Sequence, residues 1–185
     1  MKIIVTGASG VGKTTLVEAL APLLSLPVIP ETARELCRQW GAAYPGEIPL
    51  EKQEEFKFAV LEKQIEKENS EPSYLSDRSA VDAWVLWQRW NICQAMSYDT
   101  EKFYALAKAQ AQTYTHVIYI PPLFEPVDDG FRWTDLDYQK QIDRLTRMTL
   151  YDFGLLQKTY TVKSAPMQER LEEVRNWLGK ENHRG

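Results

Sequence analysis

Cysteine and histidine are scarce in this chain. Its 185 residues hold two of each, and Cys37 and Cys93 stand alone in their segments. With no CxxC pair and no Cys/His cluster, structural zinc is disfavoured and a reduced, cytoplasmic setting is expected. Long hydrophobic runs are also missing. No stretch approaches the roughly 18 apolar residues of a spanning helix, and the opening Met-Lys-Ile-Ile-Val-Thr is too short for a secretory leader. Nor is positive charge in excess. Lys and Arg number 22 against 26 Asp and Glu, a net charge of −4. That argues against nucleic-acid phosphates or an anionic membrane as partner, since both need a basic face. Repeats, low-complexity tracts and linker-like segments are absent, so residues 1–185 are expected to form a single domain.

What is present alternates between strand and helix patterns. Lys2–Thr6 is a β-branched run closed by Gly7. Residues 13–24 place Leu16, Leu20, Leu23 and Leu24 at helical spacing, with Pro22 near the end. Further strands are expected at 26–30, 74–76, 116–120 and 159–163. Helices are expected at 32–40, 50–68, 80–96, 99–112 (capped by Asp99 or Thr100), 135–153 and 165–178. Such alternation predicts an α/β fold with a five-stranded, mainly parallel sheet flanked by helices.

One motif carries chemistry outright. Gly7-Ala8-Ser9-Gly10-Val11-Gly12-Lys13-Thr14 matches G-x-x-x-x-G-K-[ST] in full, between a strand and a helix. Glycines let the backbone curl so that successive N–H groups face phosphate oxygens, and the helix start adds its positive dipole end. Lys13 is then expected to reach the β- and γ-phosphates of ATP, with the Thr14 hydroxyl on Mg²⁺ and Thr15 completing the cradle. A P-loop NTPase fold follows.

The rest of the chain narrows the class. No D-x-x-G or N-K-x-D segment marks a GTPase, and the helical lid domain of larger oligomeric ATPases finds no room. Asp152-Phe153-Gly154 spells a protein-kinase tripeptide, but it falls at a helix end where a stop glycine accounts for it. In Tyr74-Leu75-Ser76-Asp77-Arg78-Ser79, a strand ends in a carboxylate at the edge of the sheet where a Mg²⁺-organising group belongs. Ser79-x-x-Asp82 also fits a capping box for the next helix. In Ile29-Pro30-Glu31-Thr32-Ala33-Arg34, Glu31 ends the second strand facing the same crevice, with Arg34 one turn on. Glu31 reads equally as a dipole partner for a helix start. Asp129-Gly130-Phe131-Arg132-Trp133 precedes a helix with Lys140, Arg144, Arg147 and Tyr151 on one face. A lid over residues 128–153 would bring Arg132, Arg144 or Arg147 to the transferring phosphoryl group. The alternative is a solvated face with an Asp143–Arg147 pair. Trp84, Trp87 and Trp90, three apart, cannot all face one side; core or subunit-contact packing is their simplest role, and stacking of one on a substrate ring is the alternative.

The order P-loop, "PETAR", "SDRSAVDAW", Pro-ended fourth strand, "DDGFRW" and Ala/Pro turn resembles nucleoside and nucleotide kinases. In particular it resembles the ribosylnicotinamide kinase domain of bacterial NAD-biosynthesis regulators. That resemblance implies a helical lid and a small nucleoside-like acceptor. Glu31 or Asp77 would accept its proton, and Arg78 and Arg34 would hold acceptor or phosphate oxygens. The adenine would lie near Ser164-Ala165-Pro166. A possible homodimer is also expected. The rivals are a kinase for nucleoside monophosphates and a regulatory module that hydrolyses ATP slowly. Residues 41–70 depart from the pattern of these families, and they fall where the acceptor should bind.

Overall fold

The computed structural model describes residues 1–91, 95–124 and 135–181. Five strands form one sheet: β1 (Lys2–Thr6), β2 (Val28–Ile29), β3 (Tyr74–Asp77), β4 (His116–Tyr119) and β5 (Thr159–Thr161). Every pairing is parallel, in the order β2-β3-β1-β4-β5. Among the described residues, seven α-helices cover the faces. They are α1 (Lys13–Leu24), α2 (Thr32–Gln39), α3 (Gln53–Ser70), α4 (Ala80–Trp90), α5 (Ser97–Ala111), α6 (Leu136–Asp152) and α7 (Met167–Glu181). None of these is long and apolar enough to cross a membrane.

Side-chain alternation along the strands builds two cores. Ile3, Val5, Leu75 and Ile118 face Leu16 and Leu20 of α1 and Val174 and Leu178 of α7. Ile4, Tyr74, Val117 and Tyr119 face Leu61, Trp84, Trp87 and Phe103 on the other side. Each fully buried aliphatic side chain contributes roughly 1.5–3 kcal/mol, enough for these strands to hold despite their brevity. Trp87 stacks on Phe103 at 4.3 Å, and Trp84 packs edge-on to Tyr104. Two of the three tryptophans are therefore core residues, as the spacing suggests.

Several boundaries differ from the sequence expectation for local reasons. β2 shrinks to two residues because it pairs with β3 alone at the sheet edge. Residues 50–52 form a short 3-10 turn, so α3 begins at Gln53. α5 starts at Ser97 and has no side-chain cap, so Asp99 and Thr100 lie inside the helix. Ser79 does cap α4, accepting from the Val81 N–H at 3.1 Å. Phe153 is core and Gly154 has φ 69°, so Asp152-Phe153-Gly154 is indeed a helix stop. Of the expected lid segment, residues 128–134, including Arg132, lie outside the described residues. The remainder is α6, which buries Tyr138, Ile142 and Leu150 against both cores.

Candidate active site

The sheet order brings the functional side chains together. β1 is central, and the chain leaves it directly into the Gly7–Thr14 loop at the carboxyl edge. In β3, Asp77 is in register with Val5, one residue from the end of β1. Gly7, Gly10 and Gly12 have φ of 143°, 77° and 87°, values that other residues rarely adopt. At Gly7 the requirement is also steric, since a Cβ would sit 2.3 Å from the Ile120 carbonyl oxygen.

Lys13 is 2% exposed, and its ammonium donates to the Gly7 and Ala8 carbonyls at 2.8 and 2.6 Å. Burial, reinforced by Arg78, lowers its pKa to about 7, while Asp82, Asp77 and Glu31 pull the other way. The Thr14 hydroxyl donates to Asp77 Oδ2 at 2.6 Å. These two hard oxygen donors lie side by side at the loop. Mg²⁺ characteristically takes one or two protein oxygens and completes its shell with water and substrate phosphates. Thr14 and Asp77 fit that demand. Among the described residues no cluster of three His, Cys, Asp or Glu forms an all-protein metal cage. Thr15 is exposed in the first turn of α1.

Glu31 and Arg78 meet across the cleft. Arg78 Nε donates to Glu31 Oε1 at 2.6 Å, and its Nη1 lies 3.8 Å from Asp82 Oδ1. Burial works against the guanidinium's charge, but Glu31, Asp82 and Asp77 outweigh it and hold its pKa above the ordinary value. Arg78 also has φ 80°, a left-handed conformation that a non-glycine residue adopts only where its surroundings enforce it. Here the Arg78 N–H is held by the Val5 carbonyl at 3.2 Å, and its side chain by two carboxylates. Arg34 reaches Glu31 Oε2 at 3.7 Å, with 42% of its side chain exposed.

Beside these groups opens a cavity of about 540 Å³, lined by Ser9, Glu31, Arg78 and Asp82 at one end. Tyr44, Ile48, Lys57, Trp90 and Tyr138 line the rest. Residues 44–64, which carried no recognisable motif, thus form much of its wall. Below the cavity, Gln64 accepts from Thr32 at 2.6 Å and donates to Ser76 and to the buried Glu68. Glu68 also accepts from Gln110 and Tyr114, and Tyr114 in turn accepts from the N–H of Ala80. One polar network therefore joins the residues that follow Glu31, precede Asp77 and open α4.

On the far side of the loop, Arg170 is 1% exposed. It donates to the Val11 and Ser164 carbonyls, at 2.8 Å each, and its guanidinium lies 4.9 Å from the Phe124 ring centroid. It ties the P-loop to the exposed Ala165-Pro166 turn, where the resemblance locates adenine. Arg144 and Arg147 are not brought to the P-loop. They line a separate depression with Gln88 and Tyr151, and Arg147 pairs with Asp143 at 3.0 Å. The α6 residue that touches the loop is Gln139, which donates to the Ser9 carbonyl at 3.1 Å. Gln139 faces inward, while Arg144 and Arg147 lie on the exposed side of the helix.

A family model described as an AAA domain matches residues 2–170. The chain belongs to that family. No curated protein matches it. Among solved structures, this AAA domain is similar to NadR in complex with NR. The identity is 24% over 88% of this chain and 46% of that one, with a TM-score of 0.71. A NadR complex with NAD and AMP-PNP aligns at 19% identity, TM-score 0.73, over 96% of this chain and 49% of that one. The chain thus spans about half the length of the NadR chains it matches. Deoxyadenosine kinase from M. mycoides with bound dCTP aligns at 13% identity and TM-score 0.71, over 97% of this chain and all of that one. At these identities the likeness establishes the fold, which is that of P-loop kinases.

Lys57, Asp82, Gln139 and Arg170 line the candidate site or touch its loop, and sequence reasoning gave none of them a role there. Asp82 was open to discovery as a carboxylate one helical turn from Arg78. The others lie in segments without a motif and are recruited by packing.

Proposed function

We propose that this domain transfers the γ-phosphoryl group of ATP to a hydroxyl of a small nucleoside-like acceptor. The observation that carries the reading is the division of the two strand-end carboxylates. Asp77 is bonded to the P-loop threonine, whereas Glu31 faces the 540 Å³ cavity. A nucleoside fits a cavity of that size, within the range typical of small-molecule sites. Its reacting hydroxyl would lie beside Glu31 and Ser9, where the γ-phosphate would emerge from the loop.

In this reading the loop N–H groups and Lys13 hold the phosphates, and Lys13 exchanges its carbonyl partners for phosphate oxygens. Thr14 and Asp77 would hold Mg²⁺, which when bound would supply positive charge to offset that developing on the phosphates. Glu31 takes the proton of the attacking hydroxyl, and Arg78 fixes the carboxylate's position while offering its remaining N–H groups to the site. The bond formed joins the acceptor oxygen to the γ-phosphorus. The bond broken is that between the γ-phosphorus and the bridging oxygen of ADP. The partly exposed Arg34, which pairs with Glu31 Oε2 at 3.7 Å, favours as second reading an acceptor that already carries a phosphate.

The test is Glu31→Gln. Acceptor-dependent ADP release should fall roughly 10²–10⁴-fold, toward the low end because a loose transition state needs little help from a base. ATP binding should persist. Transfer at the wild-type rate would leave Glu31 as a structural partner of Arg78.

A further inference from the structure

The cavity is electrostatically two-ended, and away from Glu31 and Asp82 it carries a cation that has no countercharge among the described residues. Lys57 lines it from α3. Its ammonium has one hydrogen-bond acceptor among the described residues, Gln53 Oε1 at 3.4 Å, and no ion pair. Gln53 is itself fixed, because its amide N–H₂ donates to the Pro45 and Ile48 carbonyls at 2.7 Å each. An ammonium has three N–H donors, so Lys57 has donors to spare. Burial lowers its pKa to about 8, which leaves it mostly charged near neutrality.

Position gives this cation its meaning. Gln64, on the same face of α3, touches Thr32 and Ser76 at the phosphate end. Lys57 lies seven residues earlier, about 10 Å along the helix axis. Lys57 is thus rooted on α3 away from the Gln64 end, by an offset on the scale of a ribose plus a base. Trp90 and Tyr138, tilted rings with centroids 6.1 Å apart, both line the cavity. They form a wall suited to an aromatic ring. The acidic residues of the lining, Glu31 and Asp82, are both at the inner end and engaged with Arg78.

We infer that Lys57 selects the acceptor base. The preferred acceptor is a neutral nucleoside with a carbonyl oxygen, or another hydrogen-bond acceptor, on the base edge remote from the ribose. A riboside with a cationic, pyridinium-type base is disfavoured, because its charge would face Lys57 with no carboxylate among the described residues to offset it. This assignment rests on the kinase reading above and concerns the identity of its acceptor.

The experiment measures kcat and KM of the full chain, with ATP and Mg²⁺, for two acceptor sets. One set is uridine, inosine and guanosine; the other is a pyridinium riboside. Wild type, Lys57→Met and Lys57→Gln are compared. For the best oxo-nucleoside, Lys57→Met should raise KM about tenfold or more, the loss of one charge-assisted hydrogen bond, with the effect in KM rather than kcat. Lys57→Gln, which keeps a donor, should recover part of it, and the pyridinium riboside should improve in both variants. If wild type prefers the pyridinium riboside, or Lys57→Met leaves the ratio between the two sets unchanged, the assignment is overturned. If no acceptor of either set, nor any other nucleoside or nucleotide, is phosphorylated while ATP still binds, the kinase reading itself fails and this inference falls with it. Unchanged melting temperatures in both variants would exclude a folding defect.

Discussion

The buried lysine of the P-loop makes ATP affinity depend on pH in a way that can be worked out in advance. In the nucleotide-free protein, Lys13 is enclosed by the Gly7 and Ala8 carbonyls and has a pKa of about 7. A lysine with a lowered pKa loses its charge as pH rises through that value. The triphosphate needs the charged form and should restore the pKa well above 9, so binding draws a proton from solution. Apparent affinity scales with the protonated fraction of the free protein. That fraction falls from about a quarter at pH ~7.5 to about one hundredth at pH ~9. The dissociation constant for Mg²⁺ and a non-hydrolysable ATP analogue should therefore rise about twentyfold over that range. Working above pH ~7.5 keeps ionisation of the terminal phosphate from confusing the result. Titration calorimetry at pH ~8 in two buffers of different ionisation enthalpy should show uptake of close to one proton per nucleotide. In Lys13→Met affinity should be weak and nearly flat with pH. Constant affinity across the range, without proton uptake in the wild type, would refute the claim that burial holds Lys13 poised near neutrality.

Two substitutions test neighbouring parts of the site. Gly7→Ala places a methyl group 2.3 Å from the Ile120 carbonyl in a backbone that disfavours side chains. It should abolish ATP binding and lower the melting temperature, corresponding to a loss on the order of 1–3 kcal/mol, read by thermal unfolding. Asp77→Asn should weaken the Mg²⁺ dependence of every ATP-consuming activity. A Mg²⁺ titration of ADP release checks this, and an unchanged half-saturating concentration would exclude Asp77 from the metal site.

The sequence disclosed what local rules determine. Gly7–Thr14 specifies its own geometry, since glycines, lysine and threonine must stand at those spacings to cradle phosphates. The five strands and the Ser79 cap were legible for the same reason, because pleat alternation and hydroxyl capping act within a few residues. The cavity beside Glu31 was not legible. Tyr44, Lys57 and Trp90 come from three segments joined only by tertiary packing, and Lys57 reads in sequence as one more charge on a polar helix. Helical spacing likewise grouped Lys140, Arg144 and Arg147 correctly on one face. It could not say that α6 turns its other face, with Gln139, toward the P-loop. Glu31 and Arg78 were each singled out, but their 2.6 Å contact depends on the order in which the strands assemble.

The central claim is acceptor-dependent phosphoryl transfer, and ADP release by the wild-type chain tests it most directly. The measurement uses ATP and Mg²⁺ with and without each member of a panel of nucleosides, nucleotides and ribosides, with the phosphorylated product identified by mass. The account predicts slow background release that at least one neutral nucleoside stimulates by about a hundredfold or more, the scale that positioning and a general base supply, with one phosphoryl group gained per ADP. Background hydrolysis unaltered by every acceptor, with ATP bound normally, would contradict it and mark the domain as a nucleotide-binding module rather than a kinase.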